Sequence, residues 1–240
     1  MNTALASAQG KPGPVAAMLR SSLVRSVDLI GPAGRLEALV NEGASDAPFA
    51  ALVCHPHPLG GGTMHNKVVY HAMKVLNDPE WGLSWPVLRF NFRGTERSQG
   101  THNGEAETED VRAALDWLED EYKRPLVVVG FSFGAAMALT ACCGHTKHKT
   151  SVRALAALGL PLHHGEQKYS YPFLADCTLP KIFISGDQDQ FASASQLVQT
   201  AASAAEPKQT VLIPGADHFF TGHLAPMQLS LARWLKEQLQ

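Results

Sequence analysis

Apolar residues along this chain fall into short, nearly continuous runs separated by segments of helical period. Nearly continuous apolar runs are typical of parallel β-strands that are covered on both faces. Six such runs predict buried strands, at residues 47–55, 85–92, 125–131, 153–160, 179–186 and 208–215. The remaining segments predict five helices, at residues 67–77, 107–122, 134–143, 192–205 and 223–239. This repeated alternation predicts a doubly wound α/β sheet.

The first part of the chain has a different pattern. Two β-favouring runs at residues 21–30 and 35–40 are separated by Gly-Pro-Ala-Gly, which predicts a β-hairpin. Residues 1–20 are rich in Ala, Gly and Pro without periodicity, and we expect a flexible tail there. We predict a single domain over residues 21–240. The connection at residues 159–181 is loop-like and too short for a separate lid domain.

The charge balance argues against polyanionic partners. The 240 residues include 20 Lys and Arg against 22 Asp and Glu, so the formal net charge is -2, and the opposite charges are interleaved along the chain. Electrostatic capture of nucleic acid or of an anionic membrane surface is therefore not expected.

We predict a cytoplasmic protein without a membrane span. The N-terminal segment has no basic residue before Lys11 and no long apolar run, so it does not have the features of a signal peptide. The uncharged stretch at residues 125–144 is as long as a membrane helix. However, Gly-Phe-Ser-Phe-Gly divides it into a β-branched run and a small-residue helix, which suit a soluble domain.

Neither the cysteines nor the histidines have the spacing of a metal or redox site. The cysteines lack C-x-x-C spacing and are predicted to be reduced, mostly buried thiols. Each pair of nearby histidines lacks a carboxylate or cysteine partner at ligand spacing, so we predict no metal site. The cysteines are Cys54, Cys142, Cys143 and Cys177, and the histidine pairs are His55 with His57, His145 with His148, and His163 with His164.

The most informative motif is Gly-Phe-Ser-Phe-Gly at residues 130–134, between a predicted strand and a predicted helix. In a G-x-S-x-G turn the serine occupies a strained strand-to-helix turn, and the flanking glycines allow backbone segments to approach closely. The serine hydroxyl is then exposed at the carboxyl edge of the sheet, above a helix N-terminus. Ser132 is therefore a candidate nucleophile rather than a surface serine in a glycine-rich turn.

A serine nucleophile needs a base and an acid that holds the base in place. His218 follows the predicted strand at residues 208–215 and is the candidate base. Asp187 and Asp189 both follow the strand at residues 179–186 and compete for the role of the acid. Because Asp189 lies farther along the loop, its side chain is better placed to reach His218, and we predict that it is the acid.

Hydrolysis through a tetrahedral intermediate also needs N–H donors for the oxyanion. We predict that the backbone N–H of Phe133 is one donor, because it directly follows the nucleophile. The other is expected in the loop after the first predicted buried strand. Since Pro56 and Pro58 have no N–H, His57 and Leu59 are the nearest donors, and the position of His57 favours it.

Two arginines, Arg89 and Arg93, lie at the end of another predicted strand. Either could bind an acidic group of a substrate. Arginines at strand ends more often anchor loops through carbonyl and carboxylate groups, and we expect this second role.

Several segments together resemble the group of the bacterial α/β-hydrolase superfamily that is related to dienelactone hydrolases. They are ALVCHPHP with GGTMHNKVV, VLRFNFRG and GFSFGA, in this order. The resemblance implies an α/β-hydrolase fold with about eight mostly parallel strands, helices on both faces, a Ser-Asp-His triad, no cofactor and no large cap domain. The G-x-x-D pattern of that group falls on Gly186 and Asp189. Dienelactone hydrolases carry Cys at the position of Ser132, so their lactone substrate is not implied.

These features together predict a serine esterase that cleaves small carboxylic esters through an acyl-enzyme, with Ser132, Asp189 and His218 as catalytic residues. A peptidase or a thioesterase that uses the same triad is one alternative. Amide cleavage usually requires a dedicated peptide-binding domain, for which no sequence remains. A binding protein that retains this fold without catalysis is the second alternative. We expect a monomer or a homodimer whose partner is a small-molecule ester.

Overall fold

The computed structural model describes residues 23–144, 151–165 and 167–239, and the predicted tail at residues 1–20 lies outside them. The described residues contain ten strands: β1 Val24–Gly31, β2 Gly34–Asn41, β3 Ala50–Cys54, β4 Val87–Phe90, β5 Leu126–Phe131, β6 Val152–Leu158, β7 His163–His164, β8 Gln167–Lys168, β9 Lys181–Gly186 and β10 Lys208–Ile213. Eight of them form one sheet in the order β1-β2-β4-β3-β5-β6-β9-β10.

Most strand pairs in this sheet are parallel. The exceptions are β1 with β2 and β2 with β4, which pair antiparallel. All the other neighbouring strands of the sheet pair in the parallel direction. The prediction of an eight-stranded, mostly parallel sheet that begins with a hairpin is confirmed.

Helices cover both faces of the sheet, as predicted. In the described residues they are α1 Lys67–Asn77, α2 Glu107–Tyr122, α3 Phe133–Cys143, α4 Ala194–Ala202 and α5 Leu224–Leu239. One core layer contains residues of α1 and α5, and the other contains residues of α2, α3 and α4. Successive residues of β5 belong to opposite layers: Val128 packs with α2 and α3, and Val129 packs with α1 and α5. This explains why β5 is apolar and buried along its length.

The helix predicted at residues 192–205 is shorter in the structure, where α4 begins after Ser193. The Ser193 hydroxyl accepts the N–H of Gln196, and the Gln196 side chain accepts the N–H of Ser193. This reciprocal capping box starts the helix two residues later than the apolar pattern predicts.

The connection between β6 and β9 contains more secondary structure than the expected loop. β7 and β8 form a small antiparallel hairpin, and a 3-10 helix follows at Pro172–Asp176. Strands of two residues are too short to produce a period in the sequence, so the pattern does not reveal them. The described part of this connection contains no large cap domain.

The prediction that all four cysteines are reduced is wrong for two of them. Cys143 and Cys177 form a disulfide with their Cα atoms 5.3 Å apart, whereas Cys54 and Cys142 are free thiols. The bonded cysteines are 34 residues apart in sequence and meet because α3 packs against the 3-10 helix, a contact that sequence spacing does not show. Disulfides are uncommon in a reducing cytosol, so this bond does not support the predicted cytoplasmic location.

Within the described ranges, no helix is both long and apolar enough to cross a membrane. The uncharged stretch at residues 125–144 instead forms β5, the turn at Ser132 and α3.

Candidate active site

The turn between β5 and α3 holds Ser132 in a strained backbone conformation, with φ at 55° and ψ at -122°. A Cβ atom on Gly130 would overlap the backbone at Gly134, and one on Gly134 would overlap the carbonyl oxygen of Cys54. Only glycine fits at these two positions. The G-x-S-x-G pattern is therefore explained by steric crowding around a turn that lifts the serine out of the strand.

A continuous chain of hydrogen bonds joins three side chains at the carboxyl edge of the sheet. The distance between Ser132 Oγ and His218 Nε2 is 2.9 Å, and the distance between His218 Nδ1 and Asp189 Oδ2 is 2.8 Å. All three side chains belong to buried residues. The imidazole thus has one nitrogen at the hydroxyl and the other at the carboxylate, the arrangement that lets a histidine take a proton from serine.

Two further donors hold the Asp189 carboxylate in place. The Ser185 hydroxyl donates to Oδ2 at 2.8 Å, and the backbone N–H of Phe191 donates to Oδ1 at 2.8 Å. With His218, these contacts occupy both oxygens and orient the carboxylate towards the imidazole. An acid that is fixed in this way can hold the imidazole of His218 in one orientation.

Asp187, the competing candidate, has a different environment. Its Oδ1 accepts the backbone N–H of Gly215 at 2.8 Å and so links the turn after β9 to the turn after β10. The structure brings Asp189, and not Asp187, to His218.

The backbone N–H groups of Phe133 and His57 have no hydrogen-bond partner among the described residues. The N–H of Leu59, the alternative donor, is already bonded to the Nδ1 atom of His57 at 3.2 Å. Both Phe133 and His57 line the same pocket as Ser132. Two residues that line the pocket together with Ser132 therefore have backbone N–H groups without a partner among the described residues.

The pocket has a volume of about 90 Å³ and aromatic walls. None of the described residues that line it is Asp, Glu, Lys or Arg. Its aromatic residues, histidine included, are His57, Phe133, His164, Tyr169, Phe191, His218 and Phe219. A small pocket with these walls favours an uncharged group of modest size.

Imidazole and phenyl rings stack along one side of the pocket. The ring centroids of His57 and His164 are 5.1 Å apart and those of His164 and Phe191 are 5.5 Å apart, with interplanar angles of 17° and 28°. Burial, followed by repulsion from the imidazoles of His102 and His164, lowers the pKa of His57 to about 4. The His57 ring is therefore neutral at pH 7, and it adds no cation to the pocket.

His55 is fully buried and links the ends of β3 and β4. Its Nδ1 donates to the carbonyl oxygen of Pro56 at 2.7 Å, and its Nε2 accepts the backbone N–H of Phe92 at 2.9 Å. This arrangement needs the neutral imidazole. Burial lowers the pKa of His55 to about 3.

We expect His55 to make the stability of the protein depend on pH. The imidazole protonates in the unfolded chain below its ordinary pKa of 6.5 but stays neutral in the folded chain down to about pH 3. The unfolded state therefore binds more protons in this window, and stability falls as the pH is lowered. Between pH 7 and pH 5 this residue alone should remove about 2 kcal/mol of unfolding free energy.

Urea unfolding of wild type and His55→Gln at these two pH values measures the effect. The variant should be less stable at pH 7 and should lose less stability on acidification. His65→Gln, which replaces an exposed histidine, serves as the control. If wild type and His55→Gln lose the same unfolding free energy between pH 7 and pH 5, the prediction is contradicted.

The two arginines at the end of the predicted strand have structural contacts in the fold. Arg93 forms an ion pair with Asp110, with Nη2 2.6 Å from Oδ1. Arg89 donates to the carbonyl oxygen of Met64 at 3.2 Å and to Oδ1 of Asn41 at 2.9 Å. Neither arginine lines the pocket beside Ser132, so the anchoring interpretation describes both better than contact with an acidic substrate there.

Among the described residues, no group of three or more His, Cys, Asp or Glu side chains is arranged to hold a metal ion. Of the histidine pairs considered from the sequence, His55 and His57 have the contacts given above, and His164 belongs to the pocket wall. His145 and His148 lie outside the described residues.

Sequence reasoning missed several residues of this site. Ser185 and Phe191 hold Asp189, and His164 forms part of the wall. No motif marks them. The only available signal was that Ser185 and Phe191 lie close to Asp189 in the chain.

Comparison with known proteins supports the architecture. A family model described as an alpha/beta hydrolase domain matches residues 51–230. An uncharacterised protein of Rickettsia prowazekii is 37% identical over 198 residues, which cover 79% of each chain.

Solved structures share the fold. A Xanthomonas campestris protein, described as an α/β serine hydrolase without a lid, has 29% sequence identity and a TM-score of 0.76, over 89% of this chain and 94% of that chain. A dienelactone hydrolase from Anabaena variabilis has 18% identity and a TM-score of 0.73, over 92% of this chain and all of that chain (100%). The second likeness shows the fold alone. Together they confirm the predicted α/β-hydrolase architecture.

Proposed function

This chain belongs to the alpha/beta hydrolase domain family, and we propose that it is a serine esterase that cleaves small, uncharged carboxylic esters through an acyl-enzyme. The observation that carries the proposal is the hydrogen-bonded chain from Ser132 through His218 to Asp189. The two free N–H donors beside the serine complete the set of groups that acyl transfer requires.

In the proposed mechanism, Ser132 Oγ attacks the ester carbonyl carbon while His218 Nε2 takes the hydroxyl proton. Asp189 holds the imidazole in the required tautomer and stabilises the imidazolium. The N–H groups of Phe133 and His57 donate to the oxyanion of the tetrahedral intermediate. The intermediate then collapses, and the alcohol leaves with the proton from His218.

The second half of the cycle releases the acid. A water molecule gives a proton to His218 Nε2 and attacks the acyl carbon bound to Ser132 Oγ. Collapse of this second intermediate breaks the bond to Oγ, and the serine recovers its proton from the imidazole. The same three side chains therefore serve both steps, and the proposed cycle has no step that calls for a cofactor.

The chemistry of the pocket favours esters over the alternatives. An alkoxide is a better leaving group than the amide anion of a peptide, and a pocket of about 90 Å³ is small for an extended peptide. A thioester would use the same catalytic groups, and its acyl part would have to fit the same walls. The non-catalytic alternative does not account for a nucleophile, base, acid and two unpaired donors in one place.

We expect short acyl chains to be preferred. A pocket of about 90 Å³ accommodates a small acyl group, whereas a long chain would extend into solvent because no large cap shelters it in the described residues. Esters from acetyl to butyryl should exceed decanoyl and longer esters in kcat/KM. A panel of p-nitrophenyl esters and the matching thioesters and anilides, normalised by active-site titration, measures this preference.

Two outcomes of this panel would contradict different parts of the proposal, namely the size of the substrate and the class of the reaction. A maximum of kcat/KM at long acyl chains would overturn the substrate size but leave the esterase assignment intact. Turnover of anilides or thioesters with no turnover of any ester would overturn the reaction class.

A further inference from the structure

Arg89 is a buried cation without a carboxylate partner among the described residues. It is 5% exposed, and it forms no ion pair within the described ranges. Its Nη1 and Nη2 atoms donate to two neutral oxygens, those of Met64 and Asn41, and its Nε is buried without a partner. Arg93 has similar burial but binds the carboxylate of Asp110 through several N–H groups.

The guanidinium keeps donor capacity after these contacts. An arginine has five N–H donors, and Arg89 uses two of them in the described structure. One N–H on each Nη and the Nε–H have no acceptor among the residues that the structure describes. A planar group with this arrangement suits an oxyanion, which can accept two parallel hydrogen bonds.

Arg89 borders a groove of about 440 Å³ between α1 and the end of β2. No residue of this groove lines the pocket beside Ser132. Tyr70, Lys74 and Asn41 add polar groups to its wall, and Val24, Met73 and Pro79 add apolar surface. The groove is therefore separate from the candidate active site and has both polar and apolar walls.

The charge of the groove is positive on balance. Asp78 is the one carboxylate among its described lining residues, and it already faces Lys74, with Oδ2 3.4 Å from Nζ. Its other oxygen accepts the backbone N–H of Glu80 at 3.1 Å. The charge of Asp78 is thus matched locally, which leaves Arg89 as the unmatched cation.

We propose that this groove is a binding site for a small anion with a phosphate or carboxylate group, which contacts Arg89 and Lys74. A buried charge held only by neutral oxygens is unfavourable, and a bound anion would relieve that cost. Burial also lowers the pKa of Arg89 below its ordinary value. The apolar walls favour an anion with a small apolar body, such as a phosphate monoester or a short carboxylic acid.

Titration of the full chain with inorganic phosphate and, separately, with acetate tests this proposal. The readouts are the Nε–H resonance of Arg89, assigned by its loss in Arg89→Lys, and the backbone amides of α1 in ¹H–¹⁵N spectra. Chloride at matched ionic strength controls for screening. We expect the chemical shifts of these signals to change saturably with phosphate, with acetate or with both. The anion that binds with the higher affinity identifies the preferred group.

Variants separate a ligand site from a structural arginine. Lys74→Gln, which changes a partly exposed side chain, and Arg89→Lys should each weaken binding by about tenfold or more, because charge-assisted contacts dominate such sites. Arg233→Gln on α5, where the side chain is 82% exposed, should leave binding unchanged. Circular dichroism checks that each variant is folded, and Lys74→Gln keeps the test valid if Arg89→Lys unfolds.

Three results would overturn the proposal. The first is chemical-shift changes that depend only on ionic strength. The second is chemical-shift changes confined to residues of the pocket beside Ser132. The third is an anion affinity of Lys74→Gln equal to that of wild type. None of these measurements depends on hydrolysis. A failure of the anion-site proposal can therefore be distinguished from a failure of the proposed esterase activity.

Discussion

Replacing Ser132 with alanine is expected to reduce the hydrolysis of p-nitrophenyl acetate by on the order of 10³-fold or more in kcat. The variant lacks the oxygen that attacks the ester, and no neighbouring group replaces it. His218→Ala should have a comparable effect, because an unassisted serine hydroxyl is a poor nucleophile. Residues of such a triad act as a unit, so the double variant should be little worse than either single variant.

Covalent labelling provides an independent measurement. A fluorophosphonate should label wild type, and Ser132→Ala should not be labelled. Ser203→Ala is a matched control, because Ser203 is an exposed serine after α4 whose hydroxyl donates only to the carbonyl oxygen of Thr200 among the described residues. It should retain full activity and labelling. If Ser132→Ala is labelled as strongly as wild type, the assignment of Ser132 as the nucleophile is refuted.

Asp189→Asn is expected to lower kcat by roughly 10² to 10⁴-fold with little change in KM. The carboxylate accepts from His218 Nδ1 at 2.8 Å, and a neutral amide neither fixes that tautomer nor stabilises the imidazolium. The substrate pocket is lined by other residues, so substrate binding should change little. Steady-state kinetics with a short-chain ester measure both constants.

Asp187→Asn is the matched control for this prediction. Asp187 lies two residues away and accepts the N–H of Gly215, a contact that the side-chain oxygen of asparagine can retain. Its kcat should stay within a few fold of wild type, and both variants should be checked for thermal stability. If Asp187→Asn shows the large loss and Asp189→Asn does not, the two aspartates must exchange roles.

Most of the fold was predictable from the sequence because its signals are local. Apolar runs, the hairpin signal and helical periods identified the eight strands of the main sheet and the five α-helices of the described residues, but not the 3-10 helix at Pro172–Asp176. Burial on both faces leaves an unbroken apolar segment such as that of β5. Element boundaries were less predictable. The start of α4, for example, depends on a capping box at Ser193 and not on hydrophobicity.

The candidate site was predictable in part. A strained turn needs glycine at Gly130 and Gly134, so its pattern is visible in five consecutive residues. Asp187 and Asp189, by contrast, both lie within three residues of the same strand end, so their positions in the chain separate them only weakly. Their environments differ because Gly215 and His218, on a different strand-end loop, each contact one of them.

The sequence by itself determined the α/β architecture and the candidate nucleophile and base, because these depend on periodicity and on one short motif. Only the tertiary structure decided which aspartate contacts His218, which rings line the pocket, that Cys143 bonds to Cys177, and that Arg89 has no carboxylate partner among the described residues. Each of these depends on contacts between segments that are distant in sequence. Such contacts form only when the sheet is assembled, so no local pattern of residues encodes them.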